Sequence, residues 1–118
     1  MKKILYVDDA RSLRKLVDQV LKDHYDITFA TNGQEGLDAV KAEQFDLILS
    51  DINMPVMDGL EFLEKLRQQP NGKFTPTLML TTEASKEMKD RARVLGATGW
   101  IVKPFDPDKL ISAIERVS

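Results

Sequence analysis

Polar side chains follow the apolar, strand-like runs of this sequence at the points where each run ends. They supply three carboxylates, one hydroxyl and one ammonium group, from Asp8, Asp9, Asp51, Thr81 and Lys103. In an open parallel α/β sheet, ligands bind beyond the carboxyl ends of the strands. We therefore expect these five side chains to converge on one site.

Such a site would suit chemistry on a phosphoryl group. Three carboxylates about 4 Å apart repel by roughly 1–4 kcal/mol per pair, so a cation is needed to compensate. Mg²⁺ fits because it binds carboxylates, waters and a substrate phosphate through oxygen. The sequence has no Cys, and no His in the cluster, which argues against zinc or copper. Lys103 and Thr81 would contact phosphate oxygens, and a carboxylate would act as the nucleophile that forms an aspartyl phosphate.

Helix capping is the plainer explanation for an Asp that follows a strand. It would account for any one of the strand-end aspartates taken alone, but it is a poor account of all three together. It does account for Asp58, which precedes Glu61 and an apolar run as in a capping box, and for Asn32 with Glu35. We therefore interpret Asp58 and Asn32 as structural.

The strands that would position the site are predicted from apolar periodicity. Apolar runs of strand length alternate five times with segments of helical period, which is typical of a parallel α/β sheet. Residues 4–7, 47–49 and 78–80 are continuously apolar, as in central strands covered on both faces. Residues 27–31 alternate, and residues 100–102 stop before a Lys-Pro pair, so we interpret both runs as edge strands.

The helical segments differ in how firmly their apolar stripes would anchor them. Residues 86–95 carry a thin stripe among many charges, so this helix is expected to be the most weakly anchored. Asp106 and Pro107 predict the N-cap and the first residue of the last helix. The first helix has a broad stripe, formed by Leu13, Leu16, Val17, Val20 and Leu21.

The composition indicates one soluble domain. The 118 residues include 17 Lys and Arg and 19 Asp and Glu, and the resulting net charge of −2 disfavours nucleic-acid binding by phosphate neutralisation. A hydrophobic content of 42% can fill a core, and the lack of Cys excludes disulfides. No apolar run approaches the roughly 20 residues of a membrane span, and no secretory signal is evident, so we expect a cytoplasmic protein.

Four motifs, in order along the chain, resemble those of the receiver domains of bacterial two-component response regulators. The similarity is strongest to the stand-alone chemotaxis (CheY-like) type and covers essentially the whole chain. It implies one receiver domain over residues 1–118 without an output domain. It also implies a doubly wound, flavodoxin-like α/β fold, with five helices and a five-stranded parallel sheet in the order 2-1-3-4-5. The motifs are Val7-Asp8-Asp9, Leu49-Ser50-Asp51-Ile52-Asn53-Met54-Pro55 with Met57-Asp58-Gly59, Thr81-Thr82-Glu83, and Gly96-Ala97-Thr98-Gly99-Trp100 followed by Lys103-Pro104-Phe105.

The resemblance implies a role for each residue of the cluster. Asp51 would accept the phosphoryl group from a histidine kinase, Thr81 would hydrogen-bond that group, and Lys103 would pair with it. The peptide bond between Lys103 and Pro104 would be cis, as is usual in the family. Mg²⁺ would be held by Asp51, the backbone carbonyl of Asn53 and Asp8 or Asp9, with one acidic residue acting through water, and the resemblance leaves the order of Asp8 and Asp9 open.

The resemblance further implies a switch between two conformations. Phosphorylation would draw Thr81 inward and let Trp100 turn from solvent toward the core. The face formed by the fourth helix, the last strand and the last helix would then change. Trp100 stands where chemotaxis relatives more usually have Tyr, so the extent of this turn is left open.

Three further positions bear on the lifetime of the phosphoryl group. Asn53 and Glu83 match the fast-cycling chemotaxis regulators, which favours a short lifetime. Thr82 is bulkier than the Ala or Gly common in relatives and would hinder access to the phosphoryl group. These effects oppose each other, so the sequence predicts the lifetime only loosely.

The partners follow from the same resemblance. We expect a monomer that is phosphorylated by a sensor histidine kinase and binds a flagellar motor switch protein, without nucleic-acid or membrane binding. A phosphorelay to a histidine phosphotransfer protein is the alternative, and a dedicated phosphatase is a further candidate partner. The chain would not be an enzyme beyond its own phosphoryl transfer and autodephosphorylation.

Two functions of other classes fit an α/β fold of this kind. A flavin-binding electron carrier of similar fold would need a phosphate-binding loop after the first strand, where Asp8 and Asp9 would repel the phosphate. A phosphatase like the haloacid-dehalogenase enzymes would place a second Asp two residues after its nucleophile, where this chain has Asn53. Both are disfavoured by these residues.

Overall fold

The computed structural model of the chain describes residues 1–82 and 85–117. Over these residues strands and helices alternate strictly along the chain, as the apolar periodicity predicts. The elements are β1 (Lys2–Val7), α1 (Arg11–Leu21), β2 (Tyr25–Ala30), α2 (Gly33–Ala42), β3 (Leu47–Asp51), α3 (Gly59–Leu66), β4 (Thr77–Thr81), α4 (Lys86–Val94), β5 (Gly99–Val102) and α5 (Pro107–Val117).

The strands form one sheet in the order β2-β1-β3-β4-β5, and each neighbouring pair is parallel. This order confirms the doubly wound, flavodoxin-like architecture, with β2 and β5 at the edges as predicted. β1 and β3 lie side by side with Val7 opposite Ser50, so Asp8 and Asp51 occupy neighbouring strand ends. The strand order reverses between β1 and β3, which is where ligands bind in such folds.

Two apolar layers cover the sheet, one on each face. On one face α2, α3 and α4 pack over a cluster that includes Val7, Ile48 and Met79. On the other face α1 and α5 pack over a cluster that includes Tyr6 and Leu49. The continuously apolar strands are thus buried on both faces, as expected for the centre of a parallel sheet.

Side-chain caps begin three of the helices as the sequence predicts. The side chain of Asn32 accepts a hydrogen bond from the Glu35 amide at 2.9 Å, and that of Asp58 accepts one from the Glu61 amide at 2.9 Å. Asp106 does the same for the Lys109 amide at 2.8 Å. These bonds satisfy N–H groups that have no partner within the first turn of a helix. Asp58 therefore has a structural role, outside the acidic cluster.

The helix α4 is held to the protein by little apolar burial. Ala92 is the one fully buried residue among those described in this helix, whereas α3 buries Leu60, Phe62, Leu63 and Leu66. The thin apolar stripe predicted for this segment is confirmed. No helix within the described residues is long and apolar enough to cross a bilayer.

Candidate functional site

The carboxyl ends of β1 and β3 bring three aspartates together. Asp8, Asp9 and Asp51 each place one carboxylate oxygen within 4.8 Å of the others. Asp8 and Asp51 are buried, whereas Asp9 is exposed to solvent at the rim. The convergence expected from the strand ends is therefore found for all three carboxylates.

Lys103 lies between two of these carboxylates. Its Nζ is 3.0 Å from Asp51 Oδ2 and 3.5 Å from Asp8 Oδ2. The backbone N–H of Lys103 donates to the carbonyl of Thr81 at 2.8 Å, which continues the pairing of β5 with β4 beyond Val102. The peptide bond that follows, Lys103-Pro104, is cis, as the resemblance implies. The end of the edge strand thus delivers the ammonium group to the site.

Asp8 is held on both of its carboxylate oxygens. Ala10 N–H donates to Oδ1 at 2.9 Å, and the hydroxyl of Tyr6 donates to Oδ2 at 2.8 Å. Arg14 donates from Nη1 to the backbone carbonyl of Asp8 at 2.9 Å. Because the Asp8 side chain is fully buried, the bonds from Ala10 and Tyr6 replace the water that its charge has lost.

The negative charge of the clustered carboxylates exceeds the positive charge of the Lys103 ammonium group. Burial raises the pKa of the Asp51 carboxyl, the charge of Asp8 raises it further, and the ammonium group of Lys103 opposes both effects. Burial also raises the pKa of Tyr6 well above its ordinary value, with the charge of Asp8 adding to the effect. The Tyr6 hydroxyl is therefore a neutral donor at physiological pH, and Lys103 is the cation that pairs directly with both buried carboxylates among the described residues.

The donor set fits a hard divalent cation. Three carboxylates with oxygens close together, one of them open to solvent, can bind Mg²⁺ while leaving coordination positions for water or phosphate. Asn53, two residues beyond Asp51, is exposed at the same edge of the sheet. The clustered carboxylates are thus the three that the sequence predicts as ligands of a divalent cation.

The remaining predicted site residues lie around the ends of β4 and β5. Thr81 is buried as the last residue of β4, and Thr82 is exposed directly after it. Glu83, expected to influence phosphoryl lifetime, lies outside the described residues. Trp100 on β5 is half-buried and pairs in register with Met79.

Trp100 is packed against α4 in this structure. Lys89 Nζ lies over its ring, 4.6 Å from the centroid, which is cation–π geometry. A cavity of about 10 Å³ near the ring is lined by Thr81, Met88 and Ala92, among others. That volume is at the lower limit for one water molecule, so a larger inward movement of the indole needs its neighbours to move first.

Two residues of the site were not identified from the sequence. The sequence pattern indicates only an apolar strand residue at Tyr6, yet Tyr6 precedes Asp8 by two positions, so in extended chain the two side chains point to the same side. That spacing was the available signal. Gly59 was noted only as part of a motif. Its N–H donates to the Ile52 carbonyl at 2.7 Å, and a Cβ at this position would collide with the carbonyl oxygen of Asp51.

The loop between β3 and α3 contains a strained residue beside the site. Val56 has φ of 69° and is 81% exposed, and the Met57 amide donates to the Pro55 carbonyl across it at 2.7 Å. A β-branched side chain is disfavoured in this left-handed region, whereas glycine adopts it freely. The tight turn therefore stores strain that no burial of the valine side chain offsets.

Val56→Gly is expected to raise the free energy of unfolding by about 0.5–1 kcal/mol. Relief of roughly 1–2 kcal/mol of strain is partly cancelled by the greater freedom of glycine in the unfolded chain. Urea unfolding measures the change. Val94→Gly is the control, since Val94 is also exposed but ends α4 and should lose stability. A loss of stability in both variants would argue against strain at Val56.

Comparison with known proteins gives consistent matches over almost the whole chain. The family description "Response regulator receiver domain" matches residues 4–115. A solved structure of the chemotaxis protein CheY4 of Vibrio cholerae is 48% identical with a TM-score of 0.97, covering 100% of this chain and 99% of that one. The probable chemotaxis protein CheY of Rhizobium etli is 37% identical over 117 residues, 98% of this chain and 91% of that protein. A structure of the receiver domain of sensor histidine kinase PA1611 from Pseudomonas aeruginosa, 26% identical with a TM-score of 0.90 and covering 98% and 96% of the two chains, has a magnesium ion in its active site cleft.

Proposed function

The chain belongs to the response regulator receiver domain family, and from that premise we propose that it is a switch controlled by phosphorylation of Asp51. The phosphoryl donor is the phosphohistidine of a sensor histidine kinase. The observation that carries the proposal is the position of Lys103 Nζ, 3.0 Å from Asp51 Oδ2 and 3.5 Å from Asp8 Oδ2. An ammonium group beside the buried carboxylate at the end of β3 can neutralise the charge of a phosphoryl group attached to Asp51.

Asp51 acts as the nucleophile in the transfer. A carboxylate oxygen forms a bond to phosphorus while the bond from phosphorus to the histidine nitrogen breaks, and the imidazole leaves with its electron pair. The Ile52 N–H donates to Asp51 Oδ1 at 2.9 Å and fixes the carboxylate during the attack. Lys103 and the Thr81 hydroxyl then bind phosphoryl oxygens, where charge is highest.

Mg²⁺ is the cofactor we propose, held by Asp8, Asp9, Asp51 and the backbone carbonyl of Asn53. When bound, it neutralises charge on the transferred phosphoryl oxygens. The side chain of Asp9 is the exposed member of the set, so it offers the route by which a hydrated ion enters. Support comes from the three clustered carboxylates and from the magnesium ion in the P. aeruginosa receiver domain.

The output is a change in the surface formed by α4, β5 and α5. Thr81 and Trp100 line the same small cavity, so movement of one side chain changes the space available to the other. Trp100 also borders a groove of about 490 Å³ on the outer side, together with Val102, Lys109 and Arg116. A protein partner that binds this groove would therefore sense the position of the indole.

The partner we propose is a flagellar motor switch protein in chemotaxis. The names of the relatives from V. cholerae and R. etli support this choice. Transfer of the phosphoryl group to a histidine phosphotransfer protein is the alternative, and the likeness to a receiver domain of a sensor histidine kinase supports it. In either role the chain acts on its own phosphoryl group rather than turning over a substrate, and it works in the cytoplasm as a monomer.

Incubation with acetyl phosphate tests the switch. We expect intact mass spectrometry to show one phosphoryl adduct in the presence of Mg²⁺ and none in EDTA. The fluorescence of Trp100, the only tryptophan of the chain, should change as the adduct forms. If neither acetyl phosphate nor beryllofluoride altered the protein in Mg²⁺, the proposed switch would be wrong. If the adduct forms, phosphorylation-dependent binding of a motor-switch peptide would distinguish the chemotaxis output from the phosphorelay.

A further inference from the structure

Tyr6 lies directly beneath the acidic cluster in the core between the sheet and the helices α1 and α5. Its side chain is fully buried, and its ring packs edge-to-face against Phe29, with centroids 5.9 Å apart and planes at 74°. The only polar atom of the side chain, the hydroxyl oxygen, is 2.8 Å from Asp8 Oδ2. The ring is thus fixed by packing, and the hydroxyl has one charged partner.

This contact constrains Asp8 in a way that its other contacts do not. The Ala10 N–H fixes Oδ1, but a carboxylate held at one oxygen can still rotate about that point. The second oxygen, Oδ2, is shared between the Tyr6 hydroxyl at 2.8 Å and Lys103 Nζ at 3.5 Å. In the proposed function Lys103 turns to the phosphoryl group, which leaves Tyr6 as the donor to Oδ2.

We propose that Tyr6 is a positioning residue for divalent cation binding: its hydroxyl holds the Asp8 carboxylate in the orientation that the cation requires. The proposal rests on the proposed function, because it assumes that Asp8 belongs to the Mg²⁺ site. A rigid aromatic donor is suited to this task since its position does not change when Lys103 moves. Hydrogen bonds to metal-binding carboxylates commonly set the affinity for the ion.

Titration of the full chain with Mg²⁺ tests the proposal, with the backbone amide shifts of residues 8–10 and 51–53 as the readout. Tyr6→Phe keeps the ring and removes only the hydroxyl, so the variant is expected to fold. We expect its dissociation constant for Mg²⁺ to rise about tenfold or more. An unchanged or lower dissociation constant would overturn the proposal.

Two control variants separate orientation from packing. Tyr25→Phe removes the other phenol of the chain, at the start of β2 and away from the cluster, and should leave Mg²⁺ affinity unchanged. Phe29→Leu removes the ring contact to Tyr6 but keeps the hydroxyl, and should lower stability with less effect on the affinity. Tyr6→Phe could likewise lower the urea midpoint and leave the Mg²⁺ affinity unchanged. In that case Tyr6 would have a structural role only, and the proposal would fail.

The outcomes for this proposal and for the proposed function are distinct. Wild-type protein that binds no Mg²⁺ would overturn the metal site and, with it, the role of Tyr6. Wild-type protein that binds Mg²⁺ with the same affinity as Tyr6→Phe would overturn the role of Tyr6 alone.

Discussion

Replacement of Asp51 by Asn should abolish the phosphoryl adduct formed with acetyl phosphate and Mg²⁺. The amide has no anionic oxygen to attack phosphorus, and the other carboxylates are poorly placed to substitute for it. Asp8 is fully buried, Asp9 is exposed at the rim, and Lys103 Nζ lies closer to Asp51 Oδ2, at 3.0 Å, than to Asp8 Oδ2, at 3.5 Å. Intact mass spectrometry measures the loss. An adduct that persisted in Asp51→Asn would assign the acceptor to another residue.

The same variant should be more stable than wild type at neutral pH in metal-free buffer. Burial raises the pKa of Asp51 in the folded protein, so folding favours the protonated form of this carboxyl. The free energy of unfolding therefore includes a favourable contribution from Asp51 below the ordinary pKa range of Asp. This contribution is lost as the pH rises through the raised pKa. The amide removes that loss and the repulsion from Asp8. We expect a gain in the free energy of unfolding at pH 7 that shrinks toward pH 4.

Urea unfolding in EDTA at the two pH values measures this effect. Asp23→Asn changes the same charge at an exposed position outside the cluster, so it should show neither the gain nor its pH dependence. An equal change in the free energy of unfolding in the two variants at both pH values would mean that the charge of Asp51 does not destabilise the folded protein. The loss of the adduct tests a separate point, so the two readouts are independent.

Gly59→Ala should cost about 3 kcal/mol of unfolding free energy or more. A Cβ at this position would collide with the carbonyl oxygen of Asp51 and lie 2.7 Å from the Ile52 Cα. Both neighbours are backbone, so the end of β3 and the start of α3 must separate to admit one methyl group. Stability of a small domain is only about 5–15 kcal/mol, so the loss is a large part of it. The shift would also carry Asp51 away from Lys103 and slow phosphorylation.

Gly99→Ala is the matched control for the glycine prediction. The nearest atom to its added Cβ is Leu78 Cδ2 at 3.2 Å, the far end of a flexible side chain. Its stability should stay within about 1 kcal/mol of wild type, because a leucine side chain can adjust. Similar losses in the two variants would show that the close approach at Asp51 has no special cost.

Apolar periodicity was sufficient to predict the sheet. Residues 4–7, 47–49 and 78–80 are apolar on both faces because helices cover them on both sides. The edge position of the other two strands is indicated by alternation in one and by an early proline after the other. The site followed because strand ends meet at one edge, which brought Asp8, Asp51 and Lys103 together. The strand order itself came from the resemblance, since local periodicity carries no information on which strands are neighbours.

The parts that were missed depend on distances that local patterns indicate only weakly, as for Tyr6, or not at all, as for Gly59 and Val56. The Tyr6 side chain counts as a core residue by its type, and only the structure shows its hydroxyl 2.8 Å from Asp8 Oδ2. The need for glycine at position 59 arises from the close approach of two backbone segments. The strain at Val56 arises from the positive φ of this turn, and a loop of the same length can adopt other turn conformations without positive φ.

The weak anchoring of α4 sets this helix apart from the buried strand ends that hold the candidate site. Asp8, Asp51 and Thr81 are fixed at the ends of buried strands, whereas α4 buries one alanine among its described residues. In the proposed function, substitutions on the exposed face of α4, away from the cavity that Met88 and Ala92 line, would therefore change which partner binds while leaving the aspartates in place. Receiver domains that share one reaction can diverge in their targets through this helix, at little cost to the stability of the rest of the fold.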